Sequence, residues 1–257
     1  MAGWEEFFEK KTLTKEERKL ACNRHITTEF HMEQLILKYF SDEDFSKVWE
    51  RKIGGGVIGG KACGLLVARK LIALNMPEYA LFMEPHNSFF IGTDVFYQYL
   101  VLNRCAELKA RHRLEKEHFQ ETEELTRRLR NGVLPDDIRT ELDKMLDHYG
   151  TVPLIVRSSS IMEDGYGNAF SGKYESVFCL NQGTKEERMA ELEDAIRRVY
   201  SSVMNDSAIE YRRKFHLLDA DEQMALLIQQ VAGQEYDGIY FPAAAGMGCS
   251  YNPYKWM

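Results

Sequence analysis

With 257 residues, 44% apolar and 28% charged, the chain is long enough for one large domain or two modest ones with an ordinary core. It has only 18 glycines and 6 prolines, and its longest apolar runs, Tyr79 to Met83 and Met224 to Ile228, fall far short of the roughly 20 residues that span a bilayer; low-complexity disorder and membrane spanning are therefore excluded. Its 33 basic and 40 acidic residues give a net charge of −7 without a basic face, which argues against a nucleic-acid partner. The opening MAGWEEFFEKK has no apolar signal core. The cysteines (Cys22, Cys63, Cys105, Cys179, Cys249) are odd in number and never form CxxC, so neither a disulfide framework nor a cysteine zinc site is expected. A reduced, cytoplasmic protein is the expectation.

Residues 1–50 read as a helical leader packed on the main domain. Thr14 and Glu17 form a capping box, and an apolar stripe of Phe30, Leu35, Ile36, Tyr39 and Phe40 resumes after Ser41 with Phe45, Val48 and Trp49. The main domain, 51–257, opens on RKIGGGVIGGK, with no convincing strand before the glycines, and continues into a helix that stops before Pro77. SFFIG, 88–92, reads as a strand, and Thr93 as the cap of the next helix. Residues 104–150 read as a helical insertion: a charged, exposed helix, then a second opened by Pro135 and closed by Gly150. VPLIVR (152–157), residues 175–180 and MALLIQ (224–229) read as strands. Thr184 and Glu187 cap a helix with Met189, Leu192, Ile196, Val199 and Val203 on its buried side. The stretch from Tyr240 reads as turns. The fold class is α+β.

Three groups of residues could carry chemistry. Gly55, Gly60 and Lys61 match most of a phosphate-binding P-loop, but the following hydroxyl, which such a loop places on magnesium, is replaced by Ala62. That reading, and a P-loop hydrolase with it, fails at its metal ligand. What remains is a flexible glycine loop delivering one lysine at a helix start, where anions are stabilised, or a plain connection with a solvated lysine. The second group is Arg157-Ser158-Ser159-Ser160 with Glu163-Asp164 and a glycine-containing loop. The planar fork of an arginine at the end of a buried strand suits phosphate oxygens; equally, Arg157 could pair with Glu163 or Asp164 in an ion network. Third, Gln229, Gln230 and Val231 end an apolar strand, where side-chain amides can read a base or cap the strand. The histidines, such as His25 and His31, sit on charged helical segments and read as surface residues, and no GxSxG elbow is present.

The segments IGGKACGLLVARKL (58–71), PLIVRSSSIMEDGYGNAFSGKYESVF (153–178), ERMAELEDAIRRVYSSVMNDSAIEYR (187–212), and MALLIQQVAGQ with AGMGCSYNPY (224–254) resemble, in order, the N-terminal nucleotide-binding domain of phosphoenolpyruvate synthase and pyruvate phosphate dikinase. The resemblance covers roughly residues 25–257, and PHNSFFIGTDVFYQYL points to the phosphoenolpyruvate synthase-like branch. It implies an ATP-grasp fold, with ATP lying between two α+β subdomains. By the same resemblance Lys61 and Arg157 would contact ATP phosphates, Ser158, Glu163 and Asp164 would shape the loop over them, and Gln229 and Val231 would sit at the adenine hinge. The implied reaction passes a phosphoryl group from MgATP to a histidine on a separate domain, and on to pyruvate or another acceptor.

The family's magnesium carboxylates and its later phosphate-binding arginine belong beyond AGMGCSYNPY. They are expected past Met257, as are the phosphohistidine and pyruvate-binding domains. Complete turnover by these residues alone is therefore not expected. A non-catalytic nucleotide-binding or interaction module derived from the same family is the alternative.

Overall fold

The computed structural model describes residues 12–84, 87–114, 121–161, 163, 172–217 and 221–246. The N-terminal layer begins with α1 (Lys15–Ala21), opened by the Thr14–Glu17 capping box: the Thr14 hydroxyl accepts from the Glu17 amide and the Glu17 carboxylate from the Thr14 amide. A π-helical turn, Cys22–Ile26, follows, then α2 (Phe30–Tyr39) and α3 (Asp42–Glu50). The break at Ser41 is itself a capping box with Asp44. A two-residue strand, β1 (Lys52–Ile53), directly precedes the glycines, where sequence gave no sign of one. Parallel pairing with β2 (Ser88–Ile91) holds it, rather than local propensity.

Between these strands run α4 (Gly60–Asn75) and the short α5 (Pro77–Ala80). After β2 come α6 (Thr93–Leu102), α7 (Ala106–Leu114), α8 (Thr122–Asn131) and α9 (Asp136–Tyr149). Thr93 does not cap α6: Gly92 holds the cap position, and the Thr93 hydroxyl accepts from the Val57 amide at 3.1 Å. The charged stretch expected as one exposed helix forms α7 and α8, and Leu108, Leu125 and Leu129 bury their side chains in the larger core. The chain continues through β3 (Leu154–Ser160), β4 (Ser176–Cys179), α10 (Lys185–Ser201), α11 (Asp206–Lys214) and β5 (Met224–Gln230). The hairpin β6 (Gln234–Tyr236) and β7 (Ile239–Phe241) follows, where sequence suggested only turns from Tyr240 onward. No helix among the described residues is long and apolar enough to cross a membrane.

The main sheet is mixed, with order β1-β2-β5-β3-β4: β1 and β2 are parallel and the other pairs antiparallel. Because side chains alternate along each strand, register sorts them onto two faces. One face carries Ile53, Ile91, Leu226, Ile228, Leu154, Val156, Val177 and Cys179, all buried in the larger core under α6 to α10. The other carries Lys52, Phe90, Leu227, Arg157 and Ser176 in one row and Ser88, Gln229, Ile155 and Phe178 in the next. Only Phe90 and Leu227 of these join the second core, formed with Ile26, Ile36, Phe45 and Val48 of the N-terminal layer and Ile58, Ala62, Cys63 and Val67 around α4.

Candidate functional site

Where α4 stops covering the second sheet face, the row of apolar side chains gives way to half-buried Arg157, Gln229 and outward Phe178, which is 68% exposed. The turn from β1 to α4 brings Lys61 to this edge. Gly59, the cap residue of α4, has φ +79°, and a Cβ there would stand 1.5 Å from the Ser159 carbonyl oxygen, so only glycine lets α4 start this close to β3. Ser159 ties the two elements: its hydroxyl accepts from the Ala62 amide at 3.0 Å and donates to the Ile58 carbonyl at 2.8 Å.

Lys61 Nζ donates to Glu163 Oε1 at 3.0 Å and to Ser158 Oγ at 3.2 Å. Ser158 Oγ in turn donates to Glu163 Oε1 at 2.9 Å, and the Ser160 amide donates to Glu163 Oε2 at 3.0 Å. Glu163 is almost fully buried, with both carboxylate oxygens bonded. Behind it, Ser160 Oγ donates to Glu222, which also accepts from Tyr174 Oη at 2.6 Å and pairs with buried Arg212 at 3.1 Å. Burial, reinforced by the Glu222 charge, pushes the Tyr174 phenol far above its usual range, so it stays a donor. A polar chain thus crosses from Lys61 to the far side of the sheet.

Of the partners sequence allows Arg157, an anionic ligand or an ion network with Glu163 or Asp164, the structure gives Glu163 to Lys61. Arg157 Nη1 donates to Gln229 Oε1 at 3.2 Å, and Gln229 Nε2 donates to Ser88 Oγ at 3.3 Å. Among the described residues no carboxylate lies within ion-pair distance of Arg157. Asp164 lies outside the described residues, as do 165–171. At the end of β5 the Val231 amide donates to the Pro153 carbonyl at 2.9 Å, the Val231 carbonyl accepts from Tyr240 Oη at 3.0 Å, and Gln230 Oε1 accepts from Asn87 Nδ2 at 2.9 Å.

A cavity of about 470 Å³ opens beside this strand end, lined by Leu65, Arg69, Asn87, Gln229, Val231 and Gly233 among others. Gln229 both lines it and holds Arg157, so the cavity and the polar edge are continuous. Lys61, Leu65 and Arg69 follow one line of α4 at four-residue spacing, about 12 Å end to end at 1.5 Å per residue. His148, also at the cavity wall, is held below its ordinary pKa by burial and by the Arg51 guanidinium. A larger cavity of about 1080 Å³, between Val101, Val133, Pro135 and Arg139, has none of these residues.

The glycine loop is braced rather than loose. Besides the Thr93 bond to Val57, the Asp94 amide donates to the Gly55 carbonyl, the Ile58 amide to the Ile26 carbonyl, and Lys52 Nζ to the Gly56 carbonyl at 2.7 Å. Sequence reasoning found neither Lys52 nor its partner His25, which is buried, not on the surface. Nothing in their spacing, 27 residues apart in chain, announces the pair. Cys22, Cys63, Cys105 and Cys179 are buried free thiols, which burial pushes well above the ordinary thiol range.

The described residues do not fit a magnesium site: no group of three His, Cys, Asp or Glu side chains among them could hold a metal ion, and Glu163 has both oxygens committed.

The model of the pyruvate phosphate dikinase AMP/ATP-binding domain matches residues 56–255. The chain is also similar to the uncharacterized phosphotransferase YvkC of Bacillus subtilis (strain 168), 29% identical over 133 residues, or 50% of this chain and 15% of that protein. The chain thus spans a small part of that relative's length. Since the domain match extends over well more than half of the sequence and includes both Lys61 and Arg157, the chain belongs to the pyruvate phosphate dikinase AMP/ATP-binding domain family.

Proposed function

We propose that this chain is the nucleotide-binding part of a dikinase-type phosphotransferase, built on an ATP-grasp plan, and that ATP lies along the groove between α4 and the open edge of the sheet. The triphosphate rests between Lys61 and Arg157, and the base reaches towards the cavity at Gln229 and Val231. One observation carries this reading: Lys61, at the start of α4, bonds Ser158 next to Arg157 in the middle of β3, and Gln229, which accepts from Arg157, also lines the cavity at the end of β5. Two cations suit a polyanion, and an arginine fork with no carboxylate partner among the described residues is available to phosphate oxygens.

In such a reaction the protein's work is positioning and charge neutralisation. Lys61, steadied by Glu163 and Ser158, and Arg157, oriented by Gln229, orient the terminal phosphates and offset the charge that develops as a phosphoryl group leaves. Glu163 and Ser158 act on Lys61 rather than on the nucleotide. The hinge residues contribute shape and apolar contact, since the Val231 amide and carbonyl are already bonded. Magnesium ligands, the histidine that accepts the phosphoryl group and the site for pyruvate or another acceptor would come from other parts of the enzyme. A cytoplasmic location fits this chemistry. The same groove would serve a nucleotide-binding module without catalysis, and radiolabel transfer from γ-labelled ATP to a histidine of the full-length protein separates the two. For the binding step, calorimetric titration with ATP should give a measurable affinity that Arg157→Ala weakens; equal affinity in variant and parent overturns the phosphate assignment.

A further inference from the structure

Lys52 belongs to the second sheet face, level with Phe90, yet its ammonium turns to the glycine loop and the N-terminal layer. Nζ donates to the Gly56 carbonyl at 2.7 Å and lies 2.8 Å from His25 Nδ1. The Trp49 ring stands 5.8 Å from the ammonium and meets the His25 ring edge-on at 5.0 Å. One strand residue thereby joins the π-helical turn, α3 and the loop that leads to Lys61. The charged and titratable groups facing it are His25 from that turn, with Arg24 beside it, and Asp94 from α6.

His25 is neutral at physiological pH: burial, with the charges of Lys52 and Arg24, pulls it down to about 3, so its Nδ1 accepts the lysine proton bond. Burial also pulls Lys52 down to about 8, opposed by the Asp94 carboxylate. A lysine held largely out of water gains little stability from its charge. What the charge does secure is the position of the Gly56 carbonyl.

We propose that Lys52 is a positioning residue whose ammonium fixes the turn at residues 54–59, and through it the place of Lys61 in the groove. The effect on nucleotide affinity rests on the binding reading above; the effect on the turn does not.

The test compares wild type, Lys52→Arg and Lys52→Met at pH 7 and pH 9.5. It measures hydrogen-exchange protection of amides 54–60, corrected for intrinsic exchange, and ATP affinity by calorimetry. In wild type both should fall about tenfold at the higher pH, the scale of one charge-assisted hydrogen bond. Lys52→Arg, permanently charged, should keep both; Lys52→Met should be low at both pH values. A merely structural lysine would move the melting temperature while leaving wild type and Lys52→Arg with the same pH profile, and that result overturns the proposal. Should Lys52→Met fail to fold, the comparison with arginine still decides. If wild type bound no ATP while loop protection followed the predicted pattern, the nucleotide reading would fall and the role of Lys52 in the turn would stand. ATP binding with pH-independent loop protection would do the reverse.

Discussion

The two faces of the main sheet are made from the same strands, one residue out of phase, and they have opposite fates. On one, Leu154, Val156, Leu226 and Ile228 are sealed under helices, and the polar groups there, Ser160, Tyr174 and Arg212, converge on Glu222 in a buried network. On the other, helix α4 covers Phe90 and Leu227 and then stops, leaving Arg157, Gln229 and exposed Phe178 at an open edge. The sealed face specifies the fold. The open face keeps an arginine with no carboxylate partner among the described residues and an exposed aromatic ring, which is the mark of a surface built to receive something.

Substitutions should divide along this line. The largest stability loss is expected for Glu222→Ala, which leaves Arg212 charged and buried without its partner: about 3–5 kcal/mol by urea unfolding. Leu226→Ala, at a fully buried position of the same face, should cost about 2–5 kcal/mol in the same measurement. On the open face Arg157→Ala should leave unfolding within about 1 kcal/mol of wild type while weakening ATP by at least about tenfold, read by calorimetry; a large stability loss without an affinity change would erase the contrast. Smallest is Phe178→Ser, where the exposed ring should change stability by less than about 0.5 kcal/mol in thermal unfolding.

The second core has its own pH signature. His25 is depressed from 6.5 to about 3 in the folded protein, so the unfolded chain binds the extra proton first as pH falls. Its contribution to stability is complete above pH 6.5 and is lost progressively towards pH 3. Chemical unfolding across that window should show His25→Gln losing less stability on acidification than wild type.

What could be read from sequence followed the range of the interactions involved. The capping boxes at Thr14 and Thr184 bond within three residues, and both form in the structure. The segments SFFIG, VPLIVR and MALLIQ, read as strands, contain β2, most of β3 and most of β5 for the same local reason. Features decided by distant partners were not legible. Strand β1 exists through its pairing with β2, and Thr93 is drawn from capping to bracing by Val57. Glu163 lies close to Arg157 in sequence, yet it pairs with Lys61, 102 residues away, because Gly59 lets α4 begin against the end of β3. Residue spacing therefore supplied Lys61, Arg157 and Gln229 as separate candidates that only the family resemblance grouped around ATP, and the sheet register shows that Arg157 and Gln229 share a face.

The most direct test of the open-face account is a calorimetric comparison of ATP and adenosine binding by wild type, Lys61→Met and Arg157→Ala. The account predicts that both substitutions weaken ATP by about tenfold or more and leave adenosine affinity unchanged, since they remove phosphate contacts at one end of the groove and leave the cavity at the other intact. Equal loss for ATP and adenosine, or no loss for either, would contradict it.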